Sequence, residues 1–243
     1  MRTTRLYIPD TIDETNAPSL TLDRDTSHYL HRVMRYKSGD HVVLFNGDGK
    51  DYITTITSIG KSVTVQVESA RPNTNESPLS ITLVQALAKG TKLDLVIQKA
   101  TELGVSRISP VSTERSVLQL DQKRADRKAT HWKKIASQAC AQCHRSVVPI
   151  IDPVTKLDEW FKTHRDEPGV LIQPDSSRSF KDLTLLSSIN LLVGPEGGFT
   201  DQEIEWASDA GLTTVQCGSR VLRTETAGFA AIAILQSLAG DMG

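Results

Sequence analysis

Apolar positions recur at every second residue through the first seventy residues, and from about residue 79 segments of that period alternate with segments of helical period. In the first region RLYI, HVVLFNGDG, DYITTITSI and SVTVQVES interleave apolar or β-branched residues with polar ones and are punctuated by Gly, Asn and Asp. That is the pattern of half-buried strands joined by turns, and it predicts a small barrel or curled sheet over residues 1–70. Within it, SHYLHRVMRYKSGD spaces Leu30, Val33 and Met34 as one helical face and stops at Gly39, which predicts a helix with a glycine C-cap. Residues 71–78, RPNTNESP, hold two prolines, two asparagines and no large apolar residue, and read as a linker.

Over residues 79–243 the pattern predicts strands at LSITLVQAL, VSRISPVS, VVPII, GVLIQP, NLLVG and TTVQCG. Between them fall helices at TKLDLVIQKATELG, a long one ending near ASQACAQC, then LDEWFKTH, DQEIEWASDAG and a last one from about Thr224 to Leu238. Alternation of this kind predicts an α/β domain on a largely parallel sheet, with ligands at the carboxyl ends of its strands.

Three of those strand ends are unusual. LLVGPEGGFT, residues 191–200, matches neither the phosphate loop nor the dinucleotide fingerprint, because it has no lysine after the glycines and no G-x-G-x-x-G. Pro195 also removes a backbone donor. Thr200 with Glu203 forms a capping box, so the helix starts after the glycines. CGSRVLRTETAG, residues 217–228, again leaves a strand through a glycine, and LIQPDSS, residues 171–177, leaves through Pro174. Together they predict a pocket for a small, largely neutral ligand recognised by backbone groups.

Composition narrows the class. No stretch approaches the roughly 18 consecutive apolar residues of a membrane span, and MRTTRLYIPD lacks a secretory h-region; a soluble cytoplasmic protein is expected. The net charge is −1, but residues 79–145 carry 12 basic against 5 acidic residues and residues 146–243 carry 7 against 14. Lys89 and Lys92 flank Gly90 at a strand end, and Arg115 and Arg145 lie on loops, where a guanidinium fork can meet phosphate. Cys140, Cys143 and His144 have the spacing of a haem-attachment motif, yet the cysteines close a helix whose Trp132, Ile135, Ala136 and Ala139 form one apolar stripe. Core packing is therefore expected there, with neither a redox pair at a helix N-terminus nor a four-ligand zinc site. No metal is expected.

QKATELG (98–104), TERS (113–116), QCHR (142–145), LVGPEGGF (192–199) and RVLRTETA (220–227) together resemble the RsmE family of 16S ribosomal RNA uracil-N3 methyltransferases, in the SPOUT superfamily. The likeness extends to RLYIP and HRVMRYKSGD near the start. It implies an N-terminal PUA-like β-barrel that binds RNA and a C-terminal SPOUT α/β domain with a deep trefoil knot, and the knot is something that composition and periodicity do not show. It further implies S-adenosylmethionine as methyl donor, 16S ribosomal RNA or the small ribosomal subunit as partner, and a homodimer. The cofactor residues it implies are Ile172, Gln173 and Pro174 on the first loop, then Val193, Gly194, Glu196, Gly197 and Gly198 on the second. On the third they are Cys217, Gly218, Val221, Leu222, Arg223, Thr226 and Ala227. Gln173 and Asp175 stand where a close relative would carry histidine and arginine, and His144 where glycine is common.

The implied chemistry moves a methyl group to a nitrogen that carries a proton at neutral pH. Glu196 and Glu225 are the candidate proton acceptors, and Arg223 the candidate to stabilise the uracil anion. RNA contacts are expected from Arg2, Arg5, Arg32 and Arg35 in the first domain and from Lys89, Arg115 and Arg145 in the second. Another SPOUT enzyme acting on transfer RNA or a ribose hydroxyl, or a non-catalytic assembly factor, would share many of these features.

Overall fold

A computed structural model describes residues 4–12, 18–116, 122–184 and 186–243. The chain divides into two compact units, Met1–Glu76 with Cys140–Val148, and Ser77–Ala139 with Pro149–Gly243.

The first unit is a five-stranded sheet of β1 (Arg5–Tyr7), β2 (Ser19–Thr21), β3 (His41–Phe45), β4 (Lys50–Ile59) and β5 (Val63–Pro72), in the order β1-β3-β4-β5-β2. β1 runs parallel to β3, while β3, β4, β5 and β2 pair antiparallel. The period-2 pattern puts Val42, Leu44, Tyr52, Ile56, Val63 and Val65 in one core with Leu30. β2 is a short edge strand that the alternation did not mark, and β5 takes in Arg71 and Pro72 of the expected linker.

The helix expected to run to Gly39 is shorter. α1 (Arg24–His28) begins earlier because Asp23 caps it, its Oδ1 accepting from the amides of Asp25 and Thr26 at 2.8 and 3.0 Å. It passes into one π turn, Tyr29–Val33, closed by Met34 N–H to Tyr29 O at 2.9 Å. That wider turn breaks the 3.6-residue spacing, so only Leu30 is buried while Val33 and Met34 are 59% and 42% exposed. Gly39, at φ 92°, shapes a turn whose amide bonds Ile56 O rather than ending the helix.

Cys140–Val148 joins this unit through buried polar bonds. Arg145, 3% exposed, pairs with Glu76 (Nη2 to Oε2, 2.7 Å). Arg5, 8% exposed, pairs with Asp51 at 2.5 Å and donates to Arg145 O and Ser146 Oγ at 3.0 and 2.8 Å. Ser146 Oγ donates in turn to Asp51, whose carboxyl is drawn below the usual range by these bonds against the opposing effect of burial, the largest single influence. His144 sits at φ 68°, the left-handed region in which glycine is least strained. Its carbonyl accepts from Asn73 and Asn75 at 3.0 Å each.

The second unit carries β6 (Ser80–Ala86), α2 (Lys92–Glu102), β7 (Arg107–Ser112), α3 (Gln122–Cys143), β8 (Ile150–Ile151), β9 (Thr155–Lys156), α4 (Leu157–Thr163), β10 (Gly169–Ile172), β11 (Ser188–Val193), α5 (Asp201–Asp209), β12 (Thr213–Val215) and α6 (Thr224–Ala239). Its seven strands all pair parallel, in the order β12-β10-β11-β6-β7-β8 with β9 beside β7. The chain builds β6, β7 and β8 outward in one direction and then returns to the other side, where β10 is followed by β11 between it and β6 and then by β12 on the outer edge. β6 and β11 are thus neighbours although about a hundred residues separate them, with Gln85 opposite Val193. Parallel sheets of this kind are covered on both faces. On one, Val84, Leu171 and Leu192 pack with Trp160, Phe161 and Ala207 of α4 and α5. On the other α2 packs against α6. The cysteine-bearing stripe of α3 is buried as expected at Trp132, Ala136, Ala139 and Cys140, and burial pushes the Cys140 thiol up to about 12.

Candidate functional site

The parallel order sets the carboxyl ends of β12, β10 and β11 side by side, so the three loops singled out by their glycines and prolines leave adjacent strands. Polar bonds tie them. Gln173 N–H donates to Val215 O at 2.9 Å, Ser176 Oγ to Thr214 O at 2.9 Å, and Gln216 N–H to Arg178 O at 2.9 Å, which lashes the first loop to the third. Thr224 Oγ donates to Gly194 O at 2.6 Å and accepts from Gln85 Nε2 at 3.0 Å, which lashes the third to the second. Gln85 and Thr224 were not among the expected site residues. The available signal was a glutamine inside the otherwise apolar strand SITLVQAL, since a buried amide needs partners.

The second loop is shaped by close approach. A Cβ on Gly194 would lie 3.0 Å from the Phe199 ring, one on Gly197 would lie 3.2 Å from Arg115 Cβ, and Gly198 is at φ 69°. The capping box at Thr200 is present in both directions: Glu203 N–H donates to Thr200 Oγ at 3.3 Å, and Thr200 N–H to Glu203 Oε2 at 2.9 Å. Glu203, 2% exposed, also accepts from Glu114 N–H at 2.9 Å. Thr200→Ala should cost about 1 kcal/mol, read as a lower denaturation midpoint; an unchanged midpoint would show the cap to be idle.

Of the expected cofactor residues, Val193 and Ala227 are buried, while Ile172, Gln173, Gly194, Gly198, Cys217 and Leu222 are half-buried. Pro174, Glu196, Gly197, Gly218, Arg223 and Thr226 are exposed, as is Val221 at 84%.

The charged groups converge on a residue given no role above. Lys92, in the first turn of α2, places Nζ 2.7 Å from Glu196 Oε1 and 3.9 Å from Glu225 Oε2. The hydrogen bond to Glu196 raises the lysine pKa, while the nearby Arg223 opposes this. The same bond, with the positive fields of Lys92 and Lys89, lowers the Glu196 carboxyl below its usual range. Glu225 Oε2 is buried and has no hydrogen-bond partner among the described residues.

The basic residues separate into two groups. Arg32, Arg35 and Lys89 are exposed. Arg115 is exposed but its Nη1 holds Gly197 O and Phe199 O at 2.9 and 3.1 Å, so it braces the second loop. Arg5 and Arg145, expected as RNA contacts, are instead buried in ion pairs; their guanidinium groups are spent on Asp51 and Glu76. Arg2 lies outside the described residues. Among the described residues no group of three His, Cys, Asp or Glu is placed to hold a metal, and no helix is long and apolar enough to cross a membrane.

Residues 75–236 match the family model of an RNA methyltransferase domain and residues 22–68 that of an RNA methyltransferase PUA domain. A ribosomal RNA small subunit methyltransferase E of Buchnera aphidicola is 33% identical over 92% of this chain and 92% of its own. A ribosomal RNA small subunit methyltransferase E of Neisseria gonorrhoeae, crystallised with S-adenosyl methionine, is 33% identical and superposes with a TM-score of 0.92 over 100% of both chains. A Legionella pneumophila protein solved with bound SAM is 36% identical, with a TM-score of 0.93 over 99% of this chain and 100% of that one.

Proposed function

Because the chain belongs to the ribosomal RNA small subunit methyltransferase E family, we propose that it methylates N3 of a specific uridine in 16S ribosomal RNA, with S-adenosylmethionine as donor. In this reading the C-terminal domain is threaded into a deep trefoil knot and the N-terminal sheet closes as a PUA-like barrel. The enzyme acts as a cytoplasmic homodimer on 16S ribosomal RNA or the small ribosomal subunit. The observation that carries the reading is the lashing of GPEGG to the start of RTETA by the 2.6 Å Thr224–Gly194 bond, beside a carboxylate oxygen left unpartnered.

The residues fit such a donor. At Gly194 and Gly197 a Cβ would crowd Phe199 and Arg115, and Gly198 takes a positive φ, so this tight turn presents backbone rather than bulky side chains at the strand end. In this reading the half-buried Ile172, Gln173, Cys217 and Leu222 flank the donor and the buried Val193 and Ala227 underlie it. The carboxylates suit the positive sulfonium that the donor carries. When bound, S-adenosylmethionine supplies a methyl group that the N3 electron pair takes up while the carbon–sulfur pair stays on sulfur.

The protein's own part is to bind the base, remove its proton and hold its charge. N3 lies on the pairing edge, so the uracil must be unpaired before it can enter. Glu196 and Glu225 are the carboxylates at hand for the N3 proton. Arg223, at the start of α6, can hold the charge that develops on O2 or O4. Holding base and donor in line supplies much of the rest of the acceleration.

RNA is held by Arg32 and Arg35 on the first unit and by Lys89 on the second. Each phosphate contact steepens log affinity against log salt by about 0.7 to 0.9. The Arg32→Ala, Arg35→Ala double variant should therefore lower that slope by about 1.4 to 1.8 in anisotropy titrations with 16S fragments, and an unchanged slope would remove both from the interface. The activity itself is tested by incubating the protein with S-adenosylmethionine and unmodified small subunits and digesting the RNA to nucleosides. 3-Methyluridine is expected, and a ribose-methylated product would assign a different reaction.

A further inference from the structure

Lys92 stands where a cation is disfavoured. It lies in the first turn of α2, where the helix dipole is positive, and Arg223 and Lys89 add like charge nearby. Glu196 and Glu225, from two separate loops, offset that cost. The two carboxylates are not held alike. Glu196 Oε1 takes a direct hydrogen bond from the ammonium at 2.7 Å, whereas Glu225 Oε2 is 3.9 Å from it and accepts no hydrogen bond among the described residues.

Building on the methyltransferase reading, we propose that Lys92 is a positioning residue that divides the work of the two glutamates, occupying Glu196 as a fixed counter-ion and leaving Glu225 Oε2 to accept the uracil N3 proton. A buried carboxylate oxygen without a donor carries a desolvation cost that an incoming N–H relieves, and N3–H of uracil is a donor of that kind. The ammonium, 3.9 Å away, stands beyond hydrogen-bond reach and so leaves open the oxygen that must receive the proton. In the transfer the N3–H bond breaks with its electron pair remaining on N3, an O–H bond forms on Glu225, and the proton passes to solvent once the product has left. Glu196 is already hydrogen-bonded to Lys92 and its carboxyl is held low, which weakens it as a base.

The charged groups facing Lys92 are Glu196 on the second loop, Glu225 in α6 and Arg223 preceding α6, and Glu196 also lies in the field of Lys89. Removing the lysine takes away the bond and the field that hold the Glu196 carboxyl low. Lys92→Met should lower kcat by about 10²-fold, with the S-adenosylmethionine Kd from calorimetry little changed. Lys92→Arg should restore most of the rate. In the unliganded protein, carbon-13 NMR should show the Glu196 carboxyl titrating at higher pH in Lys92→Met than in wild type.

Glu225→Gln should lose about 10²- to 10⁴-fold in kcat, and Glu196→Gln far less. The proposal is overturned if Lys92→Met keeps the wild-type rate, if Glu196→Gln is the more damaging change, or if Glu225→Gln loses only cofactor affinity. A wild-type protein that is active but makes no 3-methyluridine would instead refute the uracil-N3 reading on which the proposal rests.

Discussion

Replacing Arg223 by alanine is expected to abolish methyl transfer while leaving S-adenosylmethionine binding nearly intact. Arg223 is exposed and enters α6 in an extended conformation, φ −64° and ψ 153°, with its carbonyl committed to Ala227 N–H at 2.8 Å. The backbone is thus held by the helix start, and alanine keeps that bond. What is lost is a guanidinium in the field of Lys92, which in the proposed mechanism holds the charge of the uracil anion. Removing one donor to a developing oxyanion typically lowers kcat by about 10²- to 10³-fold, because the interaction strengthens as charge appears. A cofactor Kd changed by less than about threefold, under 1 kcal/mol, together with such a fall in kcat, marks a transition-state role. The opposite pattern, a weakened Kd with kcat kept at saturation, would make Arg223 part of the cofactor pocket.

The second large effect concerns stability. Arg145→Met should destabilise the N-terminal unit by about 3 kcal/mol, near the lower end for breaking a buried pair, because Glu76 is 28% exposed at its side chain and regains some solvation. Two bonds to Glu76 Oε2, from Nε at 3.1 Å and Nη2 at 2.7 Å, go with the guanidinium. The loss should appear in denaturant melts of the apo-protein. Under conditions where the variant remains folded, the salt slope of RNA binding should be unaltered. A stable Arg145→Met protein with a shallower slope would restore Arg145 to the RNA surface.

Those two arginines also mark where the sequence is legible and where it is not. Local rules were enough for the elements whose determinants lie close together. The alternation in HVVLF and DYITTITSI, the Thr200–Glu203 box and the apolar face of α6 all operate within a few residues, and each element forms where it was expected. They fail at the Tyr29–Val33 π turn, where one extra residue in the turn carries Val33 and Met34 off the face that their spacing implies. Arg5 and Arg145 read as surface cations because their acceptors are not local. Arg5 reaches Arg145 O across 140 positions, a contact that exists only because Cys140–Val148 packs with the N-terminal unit. Lys92 lies 104 positions from Glu196, and only the return of the chain to set β11 beside β6 brings them together. The glycines and prolines at the three strand ends were visible from composition alone, whereas the charges that complete the site depend on strand order.

The central claim is uracil-N3 methylation of 16S ribosomal RNA, and nucleoside mass spectrometry of that RNA from cells lacking this protein tests it most directly. 3-Methyluridine should be lost from that RNA and return when the wild-type protein is resupplied. Full retention of 3-methyluridine in the deleted cells would contradict the claim.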